Sequence, residues 1–443
     1  MIESTQRTEP WGPIADGALA ARLRAAILDV AEALCDPTTV GTNGGAGVGG
    51  GDASLAIFYA YLARAFPDAG WEEIAQAYLE RAIDRVATTL TGPSLYGGFT
   101  GVAWAVEHLV GKDADDAEED ANESIDDSLV QHLETTPWRA PYDLVEGLVG
   151  HGVYALERLP RPSGSRCLER VIARLDETAT RLTADGGEHI TWWTDPAWLP
   201  VETAPQYPTR YYNLGVAHGV PGAIPILAGA CRAGVAVDRA RPLLDGAMRW
   251  LLANRLPEGS VGRFDFTLSS THGDGKPRQA ARAAWCYGDP GVAAALLAGA
   301  RAVGNQPWER EAIDLGLLAA RRPVAESSVF DTGICHGASG LAHIFNRLYQ
   351  QTGATRFADA ARLWLERTLE LRRPDHPVAG FPAYRPGAEP MWAAEPGLLT
   401  GAAGVALVMI SAITPVVPAW DSLLACSLPP IAAGDRRPSD IAW

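Results

Sequence analysis

The chain is short of lysine, of cysteine and of long apolar runs, and each shortage excludes something. Lysine occurs only at positions 112 and 276, so arginine carries nearly all the positive charge. Acidic side chains outnumber basic ones by 53 to 37, a formal net charge of −16 that repels phosphate backbones and argues against nucleic acid as a partner. Six cysteines in 443 residues are too sparse for a disulfide framework and suit a reducing cytosol. Cys35, Cys167, Cys231 and Cys426 lie in apolar or amphipathic runs and read as ordinary buried residues. The N-terminus lacks a basic start followed by an apolar run, so no secretory signal is expected. Apolar stretches are broken by Gly, Pro or Arg before they reach the roughly 20 residues of a membrane span. The expected location is the cytoplasm.

What the chain does have is a repeated step. A Gly-x-x-Gly followed by small and apolar residues occurs at Gly98 to Gly101, Gly147 to Gly150, Gly219 to Gly222, Gly288 to Gly291, Gly337 to Gly340 and Gly401 to Gly404. Gly51 to Ser54 is a first copy with Ser at the second glycine position, which makes seven. Between the copies lie segments such as EEIAQAYLERAIDRVATTL and FADAARLWLERTLELRR, apolar at three- and four-residue spacing with Arg or Glu on the other face. The segment around Ser124 to Leu133 is the weakest of these. A helix apolar all round is buried, whereas one with a charged face meets water. Seven alternations therefore predict an all-α fold, an α/α toroid with an inner ring of helices wrapped by an outer ring. An open solenoid of the same hairpins is the alternative, but it would expose the apolar layer at its ends and no polar caps are apparent. No set of alternating strands is legible, and one domain is expected across residues 1–443, its core over about 15–428.

Three long stretches interrupt the pattern: Asp185 to Asn213, Val261 to Arg282 and Pro374 to Pro396. Loops this long in a compact domain are usually functional or disordered, and the aromatic content of the first argues for order. The run from Asp113 to Asp127, nine carboxylates in fifteen residues, reads as a solvated loop.

Three of the glycine steps carry chemistry. They are Ala217-His218-Gly219, Trp285-Cys286-Tyr287-Gly288 and Cys335-His336-Gly337, while Asp143 lies four residues before Gly147. If the ring closes, residues just before each first glycine lie at one end of the toroid and converge on its mouth. Taken singly, Cys286 reads as core and His336 as a helix-start histidine. Their shared register points instead to one Zn²⁺ per chain held by Cys286, Cys335 and His336, with a fourth position open to substrate. Such a site would hold an incoming thiol deprotonated and activate thiols more than water. His218 could move a proton, Arg282 could stabilise a developing enolate or orient a carboxylate, and Asp143 could orient either of them.

GVAHGVPG, WCYGDPG and CHGASG, carried on seven glycine-led hairpins, resemble the lanthionine synthetase C-like family over roughly residues 15 to 428. The resemblance implies a zinc cyclase that adds Cys thiols to dehydroalanine or dehydrobutyrine in a lanthipeptide precursor. It implies Cys286, Cys335 and His336 as zinc ligands, His218 as acid/base, and Asp143, Arg282 and Tyr287 as further active-site positions. With about fifteen residues before the first helix, the expectation is a free-standing cyclase supplied by a separate dehydratase. Two rivals remain: a zinc enzyme of the same fold joining glutathione or another small thiol to dehydrated residues, and a non-catalytic peptide-binding scaffold.

Overall fold

The computed structural model describes residues 11–38, 40–41, 45–67, 70–111, 120–184, 186–201, 203–269, 277–385 and 391–426. Fourteen α-helices appear among them, in strict alternation of character. The apolar ones are α2 (Asp52–Ala65), α4 (Phe99–Leu109), α6 (Leu148–Glu157), α8 (Val220–Ala233), α10 (Asp289–Ala302), α12 (Ala338–Thr352) and α14 (Ala402–Ile413). The amphipathic ones are α1 (Gly17–Leu34), α3 (Trp71–Thr88), α5 (Glu123–Leu133), α7 (Pro162–Thr178), α9 (Val237–Ala253), α11 (Gln306–Arg321) and α13 (Thr355–Glu370). Burial separates the two sets: twelve of the fourteen residues of α2 are buried, against four of the eighteen of α3. All seven expected helices of each kind form, the weak segment at α5 included.

The chain divides into two compact units. The first holds residues 1–91, 282–290 and 314–418, and the second holds 92–281, 291–313 and 419–443. In the first, α12, α14 and α2 pack side by side in that order, with α13 laid on α12, α1 on α14 and α3 on α2. Tyrosine hydroxyls reach across these layers to helix-end carbonyls: Tyr59 donates to Ala31 O at 2.6 Å and Tyr78 to Leu34 O at 2.7 Å. In the second unit, α4, α6 and α8 form the apolar row, with α7 against α6, α9 against α8, and α5 against α4 and α7.

Short strands occur where none was expected. Among the described residues they are β1 (Thr180–Ala184), β2 (Gly187–Thr191), β3 (Tyr211–Asn213), β4 (Thr267–Ser269), β5 (Ala383–Arg385) and β6 (Met391–Ala393), paired antiparallel as β1–β2, β3–β4 and β5–β6. They lie at or within the three irregular stretches and are three to five residues long, too short for a readable alternation. β2 packs on α9, where Gly246 makes room for Ile190. Several aromatics of the first stretch serve packing: Trp192 is buried with its ring N–H on Leu175 O at 2.8 Å, and Trp193 stacks on Tyr212, while Trp198 is exposed.

Two further expectations need correction. Cys35 is exposed, because it caps the C-terminus of α1 where the chain leaves the core. The acidic run is not uniformly solvated. Its residues 113–119 lie outside the described residues, but Asp126 is fully buried and, with Asp120 and Glu107, surrounds the buried Arg158 guanidinium at the end of α6. Arg158 Nε sits 3.0 Å from Asp126 Oδ2, and Tyr154 donates to Asp126 Oδ1 at 2.6 Å. This junction ties α4, α5 and α6 together. Removing one partner of a buried ionic cluster strands the others, so we predict that Arg158→Ala lowers stability by about 3–5 kcal/mol in denaturant titration. A loss no larger than the ~1 kcal/mol of an exposed ion pair would mean that the carboxylates reach water.

Candidate metal centre

Six of the seven apolar helices begin the same way, on an extended N-cap glycine, whereas Gly288 before α10 is left-handed. The first glycine of the step is the N-cap of α2, α4, α6, α8, α12 and α14, and Gly288 immediately precedes α10. The preceding loop hooks back beneath the helix so that its carbonyls take the first helical N–H groups, which have no partner inside the helix. At α12, Ala338 donates to Asp331 O at 2.9 Å, Ser339 to Thr332 O at 3.3 Å, and Gly337 to Gly333 O at 3.0 Å. This hook explains the second glycine. A Cβ on Gly340 would fall within the van der Waals envelope of the Ile334 carbonyl, a backbone group with nowhere to go. In the first copy, Ser54 at that position donates its hydroxyl to Gly51 O at 2.6 Å.

Neighbouring hooks are joined edge to edge. In the first unit Cys286 N–H donates to Cys335 O at 3.2 Å, Cys335 N–H to Leu399 O at 2.8 Å, and Leu399 N–H to Gly49 O at 2.8 Å. Each of these four residues lies two positions before the first glycine of its step. The ladder thus sets Cys286 beside Cys335 by backbone hydrogen bonds alone, and His336 follows directly.

The result is a cluster of three donors. Cys286 Sγ, Cys335 Sγ and a His336 ring nitrogen all lie within 4.8 Å of one another. Cys286 is buried, while Cys335 and His336 are partly exposed. The three groups shift one another's protonation. The Cys286 thiol is pulled down to about 5, first by the hydrogen bond from Cys335, with burial opposing and His336 and Arg282 assisting. Cys335 is pushed well above its ordinary value by that same pairing and by burial. Burial disfavours the imidazolium of His336, yet its hydrogen bond to Cys286 and the nearby Asp331 carboxylate overcome this and raise its pKa. Two sulfurs and one imidazole converging on one point suit Zn²⁺ in ligand type and reach.

Arg282 and Tyr287 lie on the same loop as Cys286, with the Arg282 charge acting on both thiols. In the second unit His218 and Asp143 are brought together: Asp143 Oδ2 accepts from His218 Nδ1 at 2.7 Å, while Asp143 Oδ1 accepts from Glu146 N–H at 2.7 Å. Burial, followed by the adjacent Asp143, raises the Glu146 carboxyl. Two residues near these groups escaped the sequence reading. Glu146 stands one position before Gly147, the same loop position as His218 and His336, and that register could have flagged it. Asp331, whose carboxylate lies 3.8 Å from His336 Nε2, sits six positions before Gly337, too far back for the motif to point to it.

Comparison with known proteins follows this geometry. The family model described as lanthionine synthetase C-like protein matches residues 46–425. The chain is 27% identical over 307 residues to nisin biosynthesis protein NisC of Lactococcus lactis subsp. lactis, covering 61% of this chain and 66% of that protein. The matched stretch therefore spans just under two thirds of that relative's length. Among solved structures, a nisin cyclase superposes with a TM-score of 0.68 at 20% identity, covering 92% of this chain and 97% of its own. That likeness shows the fold class, an all-α α/α toroid, as the alternation of helices predicts. A sugar epimerase from a ruminal bacterium superposes with a TM-score of only 0.46 at 7% identity and carries no argument.

Because the Ile334 carbonyl cannot yield without moving Cys335, we predict that Gly340→Ala costs about 1–3 kcal/mol, as overpacking does. Thermal unfolding of the metal-free protein would read this, and wild-type stability would mean that the hook is looser than described.

Proposed function

This chain belongs to the lanthionine synthetase C-like family, and we propose that it is a zinc-dependent cyclase that closes thioether rings in a dehydrated precursor peptide. The observation that carries the reading is the donor cluster. Two thiols and one imidazole converge, and no fourth His, Cys, Asp or Glu joins them among the described residues. Structural zinc sites use four protein ligands, whereas catalytic ones use three and leave a position for substrate. Zinc, when bound by Cys286, Cys335 and His336, would hold an incoming peptide Cys sulfur as a nucleophilic thiolate at neutral pH.

In the proposed reaction that sulfur bonds to the β-carbon of dehydroalanine or dehydrobutyrine. The π electrons of the C=C bond move onto the α-carbon and its carbonyl, and a proton is delivered to the α-carbon. The thiol proton is lost and one proton is gained, so the peptide's mass is unchanged and its free thiol disappears. The products are lanthionine and methyllanthionine. His218 is assigned the proton delivery, with Asp143 on Nδ1 stabilising the imidazolium that donates from Nε2. Arg282 is assigned to the negative charge that develops on the enolate. Tyr287 shares the loop position of His218 and His336 and is assigned to the site on that register. The substrate requires prior loss of water from Ser or Thr, so a dehydratase must act first.

We predict one zinc per chain in the purified protein, lost together with ring formation in Cys286→Ala and in His336→Ala. His218→Ala should keep its zinc and lose roughly 10²–10⁴-fold in cyclisation rate, the usual range for general acid–base catalysis. Both would be followed on a dehydrated Cys-containing peptide by thiol alkylation and mass spectrometry. Stereoselective cyclisation by a metal-free variant would sink the proposal. Thiol loss seen only after glutathione is added would replace the peptide thiol by a small one.

A further inference from the structure

We propose that Asp331 is the positioning residue of the metal centre: its buried carboxylate holds the Nε2 edge of His336 and leaves Nδ1 as the nitrogen for the metal. The inference rests on the metal reading above and deepens it by naming the group that orients the histidine ligand.

Asp331 is 2% exposed, and a carboxylate taken from water must find partners. It finds too few. Oδ2 accepts from the Tyr384 N–H at 3.0 Å and lies 3.8 Å from His336 Nε2. Oδ1 is buried and has no hydrogen-bond partner. The side chain cannot turn away to seek one. Its own carbonyl is tied to the start of α12 through Ala338 N–H, and Gly337 presses against Oδ1, where a side chain would collide. Among the described residues its ion-pair partner is His336.

Asp331 is not itself a ligand, since the close donor cluster comprises Cys286, Cys335 and His336 without it. A buried acceptor aimed at the ring nitrogen of a ligand histidine is the arrangement by which metal sites fix imidazole tautomer and orientation. The 3.8 Å separation is an ion-pair distance, and on this proposal the metal-loaded ring closes it to the ~2.7–2.9 Å of a charge-assisted hydrogen bond from Nε2–H. Tyr384 belongs to β5, so one backbone hydrogen bond also couples the β5–β6 hairpin to the metal centre.

The test is zinc affinity, measured by competition with a chromophoric chelator on the full chain and on Asp331→Asn. Asn keeps the shape and an acceptor for Tyr384 but removes the charge. We expect zinc to bind about 10–100-fold more weakly, the usual cost of losing an outer partner, with the melting temperature of the metal-free protein unchanged. Equal affinity in a wild-type chain that binds zinc would overturn this inference alone, as would a fall matched by loss of metal-free stability. A wild-type chain that binds no zinc would overturn the metal reading and this inference with it. Should Asp331→Asn fail to fold, ¹⁵N spectra of the zinc-loaded wild-type histidine rings decide. A ring protonated at Nε2 and metallated at Nδ1 supports the assignment, and zinc on Nε2 overturns it.

Discussion

Everything at the candidate site depends on how closely a loop can pass beneath the start of an apolar helix. The first helical N–H groups need acceptors, and the helices that carry the site are buried, so water cannot serve. The loop supplies its own carbonyls by hooking back, which is possible only where no Cβ stands in the way. Where successive helices start from equivalent loops, those loops can hydrogen-bond edge to edge in a fixed register. Cys286, Cys335, Leu399 and Gly49 occupy equivalent rungs. A donor side chain at one rung then meets the donor on the next rung without any dedicated scaffold. Glycine thus brings the donors together by letting backbones approach, and the chemistry is added by substitution at one or two positions beside it.

The molecule handles buried charge in two contrasting ways. Arg158 is surrounded by Glu107, Asp120 and Asp126, and it serves as a structural rivet between helices. Asp52, fully buried at the start of α2, is met by Arg81 and Arg85 in the same spirit. The metal-centre groups are left incompletely satisfied. The pairing of the two thiols lowers one pKa and raises the other, an imidazole leans on both a sulfur and a carboxylate, and Asp331 Oδ1 has no partner. A buried carboxylate oxygen without a partner is costly, and a cation held by the neighbouring thiols and imidazole would offset part of that cost.

How much could be read in advance follows from the range of each signal. Charge excluded from all sides of a helix is a local property, so the seven apolar and seven amphipathic helices were legible, and with them the all-α class. The position of Cys286, Cys335 and His336 relative to a glycine is local as well, and the repeat translates it into proximity. The six short strands had no such signal, because pairs of three to five residues are defined by their partners and not by their own alternation. Nor did the inward-turned part of the acidic run, because the burial of Asp126 depends on Arg158, thirty-two residues along the chain.

The sequence by itself determined the helical repeat, the glycine hooks and the register in which two cysteines and a histidine stand before them, since all of these are set by neighbours within one turn or one loop. Only the tertiary structure decided that Cys35 faces water, that Asp143 grips His218 from seventy-five residues away, and that Asp331 turns its carboxylate towards His336 while Tyr384 holds it from another segment. Those contacts join groups whose spacing in the chain carries no periodicity, and they exist only because the packed helices within each unit bring its separate loops together.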